Sequence, residues 1–458
     1  MSNSNVQENK MGIMPIPKLL ISMSLPMIAS MLVQALYNIV DSMFVAQLNE
    51  GALTAVSLVF PVQNLMIAVA SGTGVGINAL LSRSLGEKKL DQANKIASNG
   101  VFLALISSLV FAVIGIFCSR LFFAAQTTDA QIVEYGTQYM SIITIASIGI
   151  FLQVTYERLL QSTGKTFFNM ITQGTGAIIN IILDPILIFG WFGLPAMGVT
   201  GAALATVIGQ FCASILAVYF HNKHNAEIIV RARGFKIDKE TIVSIYKIGV
   251  PSILMQSIGS VTTFCMNNIL LMFSATAATV FGVYFKLQSF IFMPLFGLTN
   301  GMIPIVAYNY GAKNRKRILA TVRFSCAMAV TIMAVGMVLM WIMPETMLRL
   351  FDASEDMMSL GVPALKIIST TFIMAGVSIN LGSVFQALGK SYYSMIVSFA
   401  RQIVVLLPAA LLLSKTGEVT NVWFAFPIAE FMSLMVTLAS FIFVYKSIIA
   451  KISRDNQA

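Results

Sequence analysis

The sequence predicts an all-α integral membrane protein with twelve transmembrane helices in two pseudo-symmetric six-helix lobes. Three observations carry that expectation. Of 458 residues, 57% are hydrophobic and only 10% are charged, with a mean hydropathy of +0.82, whereas soluble domains carry about 25% charged residues. Apolar runs long enough to cross a bilayer, roughly 20 residues each, recur from one end of the chain to the other. The chain also repeats itself at a constant offset of 225: Pro26 meets Pro251, Gly72 and Gly76 meet Gly297 and Gly301, Lys88 meets Lys313, and Gln161-x-x-Gly-Lys meets Gln386-x-x-Gly-Lys.

Taken in order, the first half starts polar through Lys10 and lacks a short apolar core with a small-residue cleavage site, so no cleaved signal peptide is expected. Its spans fall near 19–45, 52–80, 96–119, 136–157, 167–190 and 196–220. The first contains Pro26, which would bend it, as membrane helices tolerate when neighbours satisfy the freed carbonyl. The second contains Gly72-x-x-x-Gly76, a spacing that lets helices approach closely. The segment 221–247, with Arg231, Arg233, Lys236 and Lys239, reads as a basic linker between an N-lobe at 1–220 and a C-lobe at 248–458. The second-half spans fall near 243–273, 277–305, 319–343, 361–387, 392–413 and 421–446. Six spans per repeat carry the two halves through the membrane in the same sense, related by an axis along its normal.

Most of the 29 basic residues lie at the termini or in alternate breaks, whereas the opposite loops hold acids such as Asp352, Glu355 and Asp356. Both termini are therefore expected to be cytoplasmic. The net charge of +10 is a topology signal, not a nucleic-acid footprint. Cys118, Cys212, Cys265 and Cys326 show neither disulfide nor zinc spacing and read as small apolar residues. His221 and His224 share one polar break and read as a solvated pair. No nucleotide-binding loop or catalytic triad is visible, so the chain is not expected to be an enzyme, and energy is expected from an ion gradient.

Ionisable residues inside the apolar runs are the candidates for chemistry, because burying charge in a bilayer is costly. Asn180-Ile-Ile-Leu-Asp184-Pro185 places an amide and a carboxylate one turn apart on one helix face, with Pro185 loosening the turn. Asp41, one turn from Tyr37 in the first span, is a second acid. The repeat aligns these acids with Met266 and Ala409, so the ion chemistry belongs to the first half. In the C-lobe, Lys286, and with it Arg401, is expected to pair with Glu430. Glu157 and Lys366, near span ends, are expected to snorkel or serve structure.

These features resemble the multidrug and toxic compound extrusion (MATE) family, in particular the multidrug exporters of Gram-positive bacteria and the DinF-like branch. The likeness rests on the two six-helix repeats, Asp41, Asn180-x-x-Leu-Asp184-Pro185, the run Gly201-Ala-Ala-Leu-Ala-Thr206 and the paired Gln-x-x-Gly-Lys sequences. It implies a cation-coupled antiporter that exports lipophilic, often cationic drugs, acting as a monomer in the plasma membrane of a bacterium. No cofactor is implied beyond a coupling ion, H⁺ or Na⁺, at Asp41, Asn180, Asp184 and Thr206 in the N-lobe. Where the branch can carry asparagines in the fourth helix, this chain has Gln153, Tyr156 and Glu157; Gln153 and Glu157 join Tyr37 as candidate ion or substrate ligands. The alternative reading is a flippase for a lipid-linked precursor, which requires a strongly basic central cavity; an ion channel would need a pore-lining ring from several subunits.

Overall fold

A backbone segment in hydrocarbon must satisfy its own polar groups, and a long apolar run does so by becoming a helix. The computed structural model describes residues 9–231, 235–351 and 353–453, and among these residues every regular element is helical. Arg233 and Asp352 lie outside the described residues. The spans of the first half are α1 (Ile16–Ala46), α2 (Glu50–Gly86), α3 (Leu90–Ala124), the bent pair α4 (Ala130–Ile145) and α5 (Ile148–Ser162), α6 (Thr166–Phe189) and α7 (Val199–His224). Those of the second half are α8 (Lys239–Leu271), α9 (Ala275–Gly311), α10 (Arg315–Ile342), the bent pair α11 (Glu355–Ser369) and α12 (Phe372–Ala387), α13 (Ser391–Ser414) and α14 (Val419–Ile452). Among the described residues, ten single helices are long and apolar enough to cross a membrane, and the two bent pairs bring the candidate spans to twelve if each counts as one.

The repeat extends to the backbone. The helices α2 and α9 start and stop 225 residues apart, as do α6 and α13, and both bent pairs begin 225 apart. The sequence treats 136–157 and 361–387 as single spans; the structure bends them by 43° and 48° near residues 146 and 370. Neither break carries a proline. Instead, hydroxyls turn back on the preceding carbonyls: Thr144 Oγ1 donates to the Met140 carbonyl at 2.6 Å, and Thr370 and Thr371 donate to the Ile367 and Ile368 carbonyls at 2.7 Å. Such bonds also occur in the unbroken α8, at Thr262 and Thr263; at the breaks the backbone itself tightens to i−3 bonds, Ser147 N–H to the Thr144 carbonyl at 3.2 Å and Thr370 N–H to the Ile367 carbonyl at 3.3 Å.

Two units emerge from packing, 29–249 in one and 1–28 with 250–458 in the other. Chain order and packing thus differ within the first helix of each half. In the unit 29–249, the start of α8 lies on α2: a methyl group at Gly76 would stand 2.3 Å from the Ile245 carbonyl oxygen, and one at Gly249 would stand 3.1 Å from that of Gly72. In the other unit, the start of α1 lies on α9 in the same way, with Gly297 against Ile28 and Gly301 against Ser24. Here Arg317 donates to the Met11 and Met14 carbonyls at 2.9 and 2.7 Å. The glycine pairs are therefore packing devices. The linker is strapped along α3, whose Asn94, Ser98 and Asn99 side chains accept from the backbone N–H of Ile229, Arg231 and Asp238 at 2.8, 3.0 and 3.1 Å.

Candidate functional site

Helix α6 supplies the centre of the site in the unit 29–249. Pro185 lies inside it, so the Ile181 carbonyl receives no α-helical bond from position 185. One turn separates Asn180 from Asp184; they are 2% and 0% exposed. The Asn180 amide, Nδ2, donates to Asp184 Oδ1 and to Thr206 Oγ1 of α7, both at 3.4 Å. From α1, the Asp41 carboxyl comes within hydrogen-bonding reach of the Asp184 carboxyl, and the Tyr37 hydroxyl lies within the field of both. Tyr37, Asp41, Asn180, Asp184 and Thr206 thus form one cluster. Two carboxyl groups in contact cannot both remain ionised and unbridged: a proton or a cation must sit between them.

Acceptor capacity is left over. Asp41 Oδ1, Asn180 Oδ1 and Asp184 Oδ2 are all buried without a hydrogen-bond donor. Unpaired buried oxygens are costly, and a proton or a small cation supplies what they lack. Sequence reasoning missed Tyr139 of α4, whose buried hydroxyl accepts from Gln63 Nε2 of α2 at 3.2 Å and hydrogen-bonds Thr206. The available signal was weak: Gln63 is matched by Gln288 in the repeat, but nothing in the sequence singles out Tyr139.

Gln153 and Glu157 of α5 do not join this cluster. Glu157 is 4% exposed, so of the two roles expected for it, snorkelling or structural, it does not snorkel; α5 continues past it to Ser162. Its carboxylate accepts from Gln153 Nε2 at 3.0 Å, Thr172 Oγ1 at 2.9 Å and Gln173 Nε2 at 3.0 Å. His221 also departs from expectation. Helix α7 continues through His224, which carries His221 inward, where its Nδ1 stands 3.1 Å from Asn225 Nδ2 and its ring meets Tyr156 edge-on at 5.3 Å. His224 is exposed and stacks on Phe168 at 4.6 Å.

In the other unit, Glu430 pairs with Arg401 rather than Lys286: Arg401 Nη1 stands 2.5 Å from Glu430 Oε1. Arg401 lies in a π-helical stretch of α13, Ala400–Leu406. Lys286 is exposed, with its ammonium 5.9 Å from the centroid of the Phe351 ring. Lys286 therefore does not form the expected pair with Glu430.

The family described as MatE matches residues 26–186 and 251–412, one match in each half of the repeat. The multidrug export protein MepA of Staphylococcus haemolyticus (strain JCSC1435) is 28% identical over 426 residues, covering 93% of this chain and 92% of that protein. MepA of Staphylococcus aureus (strain MSSA476) is 25% identical over 432 residues, covering 94% of both. A solved structure described as the outward-facing conformation of a multidrug resistance MATE family transporter of the MOP superfamily superposes with a TM-score of 0.90. It is 22% identical and covers 98% of this chain and 99% of its own, so the likeness is one of fold.

Proposed function

The chain belongs to the MatE family of transporters, and from that premise we propose that it exports lipophilic, often cationic drugs in exchange for H⁺ or Na⁺ bound at Asp41 and Asp184. The observation that carries this reading is the approach of the half-buried Asp41 carboxyl to the buried Asp184 carboxyl, each with a buried oxygen that has no partner. Such a pair gains more from a proton or cation than either acid would alone. Asn180 and Thr206 orient Asp184 through the amide that bridges them.

In the proposed cycle, an ion entering from outside neutralises the acid pair and releases a bound cationic drug outward. The neutral site favours the inward-open form; the ion leaves to the cytoplasm, and the ionised pair then favours drug. Ion and drug drive this exchange only through their different affinities for the two forms. The working place is the plasma membrane of a bacterium, with both termini cytoplasmic and one chain sufficient. Support for the drug class comes from the export proteins that resemble the chain. The flippase alternative loses ground because Arg401 is neutralised by Glu430.

The test is ethidium movement in proteoliposomes under a proton gradient, a sodium gradient or neither, for wild type beside Asp41→Asn and Asp184→Asn. Transport driven by one gradient and lost in both variants is expected. Undiminished transport in the variants would mean that other residues carry the ion.

A further inference from the structure

Helix α6 also carries Gln173, seven residues before Asn180 and eleven before Asp184. Those spacings are about two and three helical turns, so the three side chains share one face, and Gln173 lies about 16 Å from Asp184 along the axis. At that level stands the Glu157 carboxylate, buried and contacted by Gln153, Thr172 and Gln173. All three donors are neutral. The Gln173 Oε1 atom is itself buried without a donor.

We propose that Glu157, Gln153, Thr172 and Gln173 form a second Na⁺ site in this unit, on the α6 face that leads to Asp184. A hard monovalent cation is held by oxygens, and oxygens are what this cluster can present. A half-turn of a glutamine amide exchanges Nε2 for Oε1 with little change of shape. With both amides turned, Gln153 Oε1 and Gln173 Oε1 join the two carboxylate oxygens. Thr172 Oγ1 completes the set, since its hydrogen has a second acceptor, the Asn169 carbonyl, at 2.9 Å. The turned Gln173 oxygen then has the partner it now lacks.

Arg158, next in sequence, sets the strength of this site. Its Nη1 donates to Gln161 Oε1 at 2.7 Å, and its charge lies within the field of Glu157. A neighbouring guanidinium weakens cation binding here relative to the acid pair. An ion passing through needs sites that it can leave as well as enter, and a weaker station displaced along α6 from a stronger one meets that need. This role in export rests on the function proposed above; the site itself rests on its own oxygens.

Radioactive Na⁺ binding by scintillation proximity, on the purified full-length chain in detergent at a pH of about 8, where free carboxylates are ionised, tests the site. Glu157→Gln is expected to lose one equivalent of saturably bound Na⁺, whereas the double variant Asp41→Asn/Asp184→Asn keeps that equivalent. Gln173→Leu, which removes an oxygen but no charge, is expected to weaken it by about tenfold, the scale of one modest contact. Glu157→Gln preserves shape, and monodisperse elution checks its folding. Equal Na⁺ binding by wild type and Glu157→Gln, or no binding by the double variant, overturns the proposal. Undiminished ethidium export by Asp41→Asn would overturn the export reading instead and leave the Glu157 equivalent in place.

Discussion

Lys88 and Lys313 stand in left-handed backbone, at φ 58° and 54°, 225 residues apart at the ends of α2 and α9. A lysine there costs about 1–2 kcal/mol against right-handed backbone, whereas glycine bears no such penalty but loses more entropy on folding. Lys313→Gly is therefore expected to be neutral or to stabilise the protein by up to about 1 kcal/mol, and Lys313→Val to destabilise it; thermal unfolding in detergent distinguishes the two. Asp238 precedes α8 and accepts from Thr241 Oγ1 at 2.7 Å. That bond holds its carboxyl below the usual aspartate value, against a small opposing effect of burial. A lowered folded-state pKa means that the contribution is present above the ordinary aspartate range and is lost as pH falls through the lowered value. Protection of the first-turn amides of α8, measured as exchange relative to the intrinsic rate at each pH, is expected to fall on acidification in wild type and to be low at all pH values in Asp238→Ala.

Helix contacts in this chain depend on absent side chains. At Gly76, added carbon would meet backbone rather than a side chain that could swing aside. Gly76→Val is therefore expected to cost about 1–3 kcal/mol or more, the range for overpacking, and Gly301→Val, against Ser24 backbone, to behave alike. Monodispersity on heating reads this directly, while Gly193→Ala, with open space around it but φ of 84°, is expected to lose only the backbone term. The bends between α4 and α5 and between α11 and α12 fall where the backbone tightens to i−3 bonds. Hydropathy does not register such a change, because the same apolar residues fit a straight helix and a bent one.

Across the whole molecule, the paired acids proposed to bind the ion belong to one half of a repeated chain. Asp41 and Asp184 have Met266 and Ala409 as their counterparts, although the ends of α6 repeat in α13 at the same offset. Repetition supplies the scaffold, and departures from it supply the chemistry. If drug and ion compete for the acid pair, the coupling is reciprocal. The factor by which a saturating coupling ion weakens ethidium affinity is then expected to equal the factor by which ethidium weakens ion affinity. Isothermal titration in both orders measures it, and Asp184→Asn is expected to reduce both factors toward one.

The sequence by itself determined an all-helical membrane chain and its repeat at an offset of 225 residues. Membrane helices form locally, repeats are visible as identities, and a carboxylate in an apolar run has few bland explanations. Cost marks Asp41 and Asp184 as candidates, and the family resemblance ties them to Asn180 and Thr206. Partner choice was different: Glu430 takes Arg401 over Lys286, Glu157 is drawn away from the acid pair into its own amide cage, and Tyr139 enters the site without any signal in its neighbours. Only tertiary structure decides these, because which side of a helix a residue faces depends on where the neighbouring helices pack, and a shift of about 100° per residue separates a buried partner from an exposed one.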